Sequence, residues 1–97
     1  MTTTLTQEKD IFTKIIELDL AMERNDLENT KSIVNYLNDN NDFIINDNKS
    51  YIDDMFNINY ITILKNIDSY YYAIENLKAL SIDKKNILIF NIEMNKI

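Results

Sequence analysis

Apolar and polar positions alternate most regularly over residues 50–80, SYIDDMFNINYITILKNIDSYYYAIENLKAL. Phe56, Tyr60, Ile63, Ile67, Tyr70, Ile74 and Leu77 follow one another in steps of four and three. That spacing keeps side chains on one face of an α-helix, and a strand cannot hold it. Leu64 and Tyr71 widen the stripe on one side, Ala73 and Leu80 on the other, as expected of a helix that meets more than one neighbour. Ser50 is placed to cap this helix, with Asp53 three residues on and Asp54 favourable to the helix dipole. Uninterrupted, such a helix reaches about 45 Å, longer than a small domain is wide. A break is therefore expected where Asn57 and Asn59 flank Ile58 and lower the helix propensity. The competing reading is a strand over residues 59–64, NYITIL, which is rich in β-branched residues; both of its faces would be apolar or mixed.

The N-terminal third predicts two shorter helices. The first starts near Thr4 or Thr6, where Thr4 and Gln7 fit a capping box and Glu8 lies in the positive first turn. Ile11, Ile15, Leu18 and Met22 then repeat at helical spacing, flanked by Phe12 and Ile16, and the helix ends near Arg24. Leu20 falls off that stripe, so it is exposed or meets a neighbour. Asn25, with Glu28 at the third position, caps a second helix over residues 26–38 that carries Leu27, Ile33, Val34, Tyr36 and Leu37. So short a connection makes the pair an antiparallel hairpin.

The turn-formers NDNND at residues 38–42 end that helix. Phe43, Ile44 and Ile45 form an apolar island, expected as a loop plug over the core, with a short edge strand as the alternative. In the tail, residues 82–97, Ile87, Phe90, Met94 and Ile97 fit a helix, with Ser81 as a candidate cap. Leu88, Phe90, Ile92 and Met94 also alternate as a strand would, but a lone strand needs a partner that this chain scarcely offers. The fold expected is all-α: a single four-helix domain over all 97 residues. In it an N-terminal antiparallel hairpin packs on one long central helix, followed by a C-terminal helix. An α+β fold with the tail as a strand is the alternative.

Composition sharpens this picture. A chain of 97 residues buries about 65 per cent of its unfolded surface on folding, enough for a core without staples. Gly, Pro, Cys, His and Trp are absent. Without Gly, every left-handed cap or turn falls to Asn or Asp, which disfavours tight hairpins. Without Cys there is no disulfide, thiol nucleophile or thiolate metal site. Without His the commonest general base and transition-metal ligand are missing. The abundant Asn and Ile are scattered among charged residues and read as compositional bias, not as a polar ladder.

Few chemistries then remain. Asn38, Asn40 and Asp42 imitate the start of a calcium loop, but Phe43 stands where Gly is needed and Lys49 where Glu is needed. Asp53 and Asp54 are adjacent and diverge by about 100° on a helix, so they do not form a facing acid and base. No Gly-rich phosphate loop exists, and no His stands ready to activate Ser or Thr. The expectation is that the chain is not an enzyme and holds no cofactor or metal. Lys and Arg are dispersed and the net charge is −6, which disfavours direct nucleic-acid or anionic-lipid binding and favours basic partners. The N-terminus has neither a basic start nor an apolar core, and no run approaches membrane-spanning length, so a cytoplasmic location is expected.

One line on the long helix suggests a binding face. Ile61, Lys65, Asp68, Tyr72 and Glu75 point away from the apolar stripe, placing an aromatic between two carboxylates. Ile61, Asp68, Tyr72 and Glu75 are the candidate partner-binding residues, with Tyr72 as the anchor. A solvated face, or one covered by the tail helix, is the plainer reading. The function expected is a small acidic protein-binding module that inhibits or masks a protein partner, such as a basic nucleic-acid-processing enzyme, in the manner of immunity or phage anti-defence proteins. Strict DNA mimicry needs denser charge than Asp68 and Glu75 supply, two turns apart against one phosphate per ~1.7 Å. The alternative is a self-assembling or chaperone-like helical protein, homodimeric or bound to a client helix through the stripe from Phe56 to Leu77.

Overall fold

The computed structural model describes residues 3–56 and 68–95. Among these the chain is helical throughout, as six α-helices and one π-helical turn with no strand. In chain order the helices are α1 (Thr3–Glu23), α2 (Leu27–Asp39), α3 (Asn41–Phe43), α4 (Lys49–Met55), α5 (Asp68–Asn76) and α6 (Ile82–Asn95); the π turn (Ile44–Asn48) lies between α3 and α4. The all-α expectation is met. The tail is a helix, and the α+β alternative falls.

Helix α1 buries the four residues that its spacing selects, Ile11, Ile15, Leu18 and Met22. It stops in a joint that a Gly-free chain has to build from Asn. Asn25 takes the left-handed conformation at φ 52°; its N–H donates to Met22 O at 3.0 Å and that of Asp26 to Ala21 O at 2.8 Å. This is the Schellman pattern, with Asn in the place that Gly usually fills. Asp26 then caps α2, accepting from the Asn29 N–H at 3.2 Å. The expected cap, Asn25, is thus one residue early, because the end of α1 already uses it. Its side chain instead reaches across the fold, where Asn25 Oδ1 accepts the Ser69 N–H at 3.0 Å in the first turn of α5. One Asn therefore ends α1 and ties that end to α5.

Helix α2 packs between α1 and α5, burying Thr30, Ile33, Val34 and Leu37. Asn38 locks its far end to the connection after α5: its Nδ2 donates to Asn76 O and its Oδ1 accepts from Lys78 N–H, each at 2.8 Å.

Residues 41–48 depart from expectation. The chain does not loop or pair as a strand after NDNND but continues helically through α3 and the π turn into α4. Ile44 is fully buried, Phe43 packs at the core's margin and Ile45 is exposed. The plug therefore exists, set on a helical backbone: burying Ile44 outweighs the poor helix propensity of its neighbours. The cap of α4 is Asn48, and Ser50 lies inside the helix. Lys49 Nζ reaches Ala79 O at 3.1 Å and Asp53 at 3.5 Å, tying α4 to the connection before α6.

The long central helix is interrupted. Helix α4 ends at Met55, and Phe56 leaves helical geometry at φ −95°, ψ 54°, one residue before the break expected at Asn57. Residues 57–67, with the strand alternative and Ile61, lie outside the described residues. The stripe survives the interruption: Phe56, Tyr70, Ile74 and Leu77 are all fully buried in one core. Phe56 and Tyr70 meet edge to face with centroids 6.4 Å apart, a preferred aromatic geometry.

Helix α6 begins at the expected cap, with Ser81 Oγ accepting from the Lys84 N–H at 3.2 Å. It leans on α5 through Leu88 and Ile92, and the Tyr71 hydroxyl donates to Glu93 Oε1. The stripe that identified it as a helix points the other way. Ile87, Phe90 and Met94 are exposed, Phe90 at 63%.

Candidate functional site

The line predicted on the central helix is partly assembled. Asp68, in the first turn of α5, and Glu75, near its end, are exposed. Tyr72, expected to stand out between them, is half-buried and packs against the core. Lys31 from α2 sits over its ring, 5.5 Å from the centroid, within cation–π reach. The physical reason is the seating of α5 on α2, which turns the outward edge of α5 into a flank of that helix pair. Tyr72 is thus engaged inside the domain, while the two carboxylates beside it remain open.

A surface that the spacing did not single out lies between α1 and α4. Phe12 and Ile16 are one turn apart on α1, on the shoulder of its buried stripe; Tyr51 and Met55 are one turn apart on α4. The rings of Phe12 and Tyr51 meet edge to face at 4.9 Å and 76°. Together these four side chains form the floor of an open groove of about 300 Å³. Tyr51 remains 50% exposed, so the aromatic pair is held in place without being enclosed. The volume is at the small end of the ~300–1,000 Å³ typical of ligand pockets, room for one or two side chains of a partner.

Two carboxylates complete the lining, Asp19 from α1 and Asp54 from α4, and among the described residues no basic side chain contributes. Among the described residues neither has a cation at ion-pair distance; Lys14 pairs with Glu17 at 3.0 Å and Lys49 with Asp53 at 3.5 Å. Burial raises the pKa of Asp19 above the ordinary aspartate value, and the charge of Glu23, one turn on, raises it further. The groove is therefore apolar in its floor and anionic at its margin.

A second cleft, of about 250 Å³ between α1 and α2, has a different character. Lys14 and Arg24 line it together with Glu17 and Asp26, so its charges largely offset one another. The outer face of α6 is a third feature, a single apolar stripe of Ile87, Phe90 and Met94 without a facing wall of described residues.

No three acidic residues among those described gather closely enough to hold a metal ion. No described helix is long and apolar enough to cross a membrane. No family model, curated protein or solved structure matches this chain.

Proposed function

We propose that the chain is a small acidic protein-binding module that masks or inhibits a basic protein partner in the cytoplasm, in the manner of immunity or anti-defence proteins. The observation that carries this reading is the groove between α1 and α4, which joins a fixed aromatic pair to two carboxylates with no cation beside them among the described residues, on a chain of net charge −6. Exposed aromatic anchors supply affinity in protein interfaces, and uncompensated charge supplies partner choice and association rate. Asp68 and Glu75 add exposed carboxylates on α5, where Tyr72 remains a candidate contact; Ile61 is a candidate by its place in the sequence alone.

A second reading is supported by the outer face of α6. A stripe of Ile87, Phe90 and Met94 suits self-assembly or the capture of a client helix. Salt separates the two readings, because an interface built on charge weakens as ions screen it and an apolar seam does not.

The test is capture by the tagged full chain from cells that express it, with washes at low and high salt. A basic protein held at low salt and shed at high salt is the expected result. Recovery of only untagged copies of the chain itself sinks the masking reading in favour of self-assembly.

A further inference from the structure

We infer that the groove between α1 and α4 receives one face of a basic amphipathic helix, with an apolar side chain of that helix seated on Phe12, Ile16 and Tyr51 and its flanking Lys or Arg facing Asp19 and Asp54. This rests on the masking reading and goes beyond it by assigning the face used and the chemistry of the segment it takes.

The floor asks for an apolar occupant. Phe12 and Ile16 lie on α1, Tyr51 and Met55 on α4, so the groove runs between two helices and presents apolar side chains one turn apart on each wall. A helix carrying anchors at i and i+3 or i+4 matches that pitch. A peptide that binds by strand addition needs a sheet edge, and the described residues contain no strand.

The margin asks for cations. Asp19 and Asp54 belong to opposite walls, so a segment lying between them meets a carboxylate on each side. Charges on both flanks of an apolar stripe are the pattern of a basic amphipathic helix. Asp19 is also ionised at a cost, because burial and a neighbouring carboxylate both disfavour its charge. The groups facing it are Glu23 on its own helix and Asp54 from α4, so nothing described here balances its charge. An Asn there would avoid the penalty, whereas an incoming guanidinium would turn the penalty into attraction.

The α6 stripe lacks this specification, because one exposed helix face does not say what covers it. The α1–α2 cleft already holds cations beside its acids.

The probe is a synthetic amphipathic peptide of about 18 residues, long enough to be helix-competent, with a Leu stripe flanked by Arg, titrated into the isotope-labelled full chain by two-dimensional NMR. A matched peptide carrying Glu for Arg is the control. The expected result is saturable shifts at Phe12, Ile16 and Tyr51 with the Arg peptide only. The double variant Asp19→Asn with Asp54→Asn, which removes charge but no packing, should weaken binding about tenfold, a loss near 1.4 kcal/mol. Ile16→Ser, at an exposed position, should weaken it several-fold with the helical spectrum unchanged. The inference is overturned if the Arg peptide does not bind, if the double variant binds it equally well, or if the shifts fall on Ile87, Phe90 and Met94. Concentration-dependent shifts in the groove without peptide also overturn it, in favour of a second copy as occupant. The broader reading fails in a distinguishable way. If the wild-type chain captures no salt-labile basic protein, masking is wrong; if it does and the double variant captures as much, only the groove assignment is wrong.

Discussion

Two apolar surfaces left open among the described residues, the groove and the outer face of α6, are built differently. In the groove, Phe12 and Ile16 project from a long helix and Tyr51 and Met55 from a short one, with the Phe12–Tyr51 pair fixing the approach of the walls. On α6, Ile87, Phe90 and Met94 share one helix, and nothing among the described residues faces them. The groove also has a sign, since Asp19 and Asp54 line it with no cation among the described residues. The ends of α6 carry both signs, Asp83 with Lys84 and Lys85 at one and Glu93 near the other. A paired, like-charged groove distinguishes one class of partner from another, whereas a lone stripe on mixed charge is adhesive without being selective. Exposure alone is therefore a poor guide to function here. Phe90 is more exposed than Tyr51, yet its surroundings specify less.

The largest effect expected separates the two faces of α6. Leu88→Ala, which empties a site only 1% exposed, should cost about 2–5 kcal/mol in denaturant unfolding. Phe90→Ala should stay within about 0.5 kcal/mol of wild type, as surface substitutions do. Comparable losses at both positions would mean that α6 is seated the other way round. Next comes charge reversal in the groove: Asp19→Lys with Asp54→Lys should weaken a basic partner about 100-fold or more, because like charges in an interface cost several kcal/mol. Calorimetric titration reads this, and an unchanged affinity would place the contact elsewhere. Smaller again is the triple replacement of Ile87, Phe90 and Met94 by Ser. It should leave partner affinity within about twofold, under 0.5 kcal/mol; a marked loss of affinity, or the collapse of an oligomer in sedimentation, would favour the self-assembly reading.

The smallest effect concerns Asp19 and carries a sign. Its pKa is raised in the folded chain, so the native state binds more protons than the unfolded state between the ordinary and the raised value. Stability therefore falls as pH rises through that window. Asp19→Asn removes the dependence. The variant should be slightly more stable than wild type above the window and lose this advantage below about pH 3.9, with a gain no larger than the ~0.5 kcal/mol usual for surface positions. Denaturant midpoints on both sides of the window check it. A variant that is both more stable and weaker in binding would identify Asp19 as a residue whose ionisation burdens the fold and serves the interface. A variant less stable than wild type at neutral pH would contradict the desolvated-carboxylate account.

How legible these features were in the chain depended on how local their causes are. Ile11, Ile15, Leu18 and Met22 could be read because α1 is long and its period is unbroken. Asn25 and Asp26 were legible as a turn but not as to which residue caps α2. That choice follows from the left-handed geometry at Asn25 and from its bond to Ser69, a residue far along the chain. Residues 41–48 misled because five consecutive turn-formers predict a stop, while burial of Ile44 holds the backbone helical. In the tail, Ile87, Phe90 and Met94 announced the helix correctly but not its orientation. Leu88 and Ile92 form a rival face, and periodicity does not say which of two apolar faces finds the core. The groove was half visible. Phe12 and Ile16 stood out as flanks of the first stripe. Tyr51 carried no matching signal, because its meeting with Phe12 is set by how α4 packs on α1. Tyr72 erred in the opposite sense: its position on the helix was right, and the helix that covers it with Lys31 could not be read from its own spacing.

The most direct measurement of the central claim is hydrogen–deuterium exchange of the full chain with and without its captured partner. Helix α4 has only seven residues, too short to be stable on its own, so its amides should open readily in the free chain. The account predicts that the partner slows exchange in α4 and along the Phe12 to Asp19 face of α1, leaving α6 unchanged. Slowed exchange confined to α6, with α4 opening as before, would contradict it.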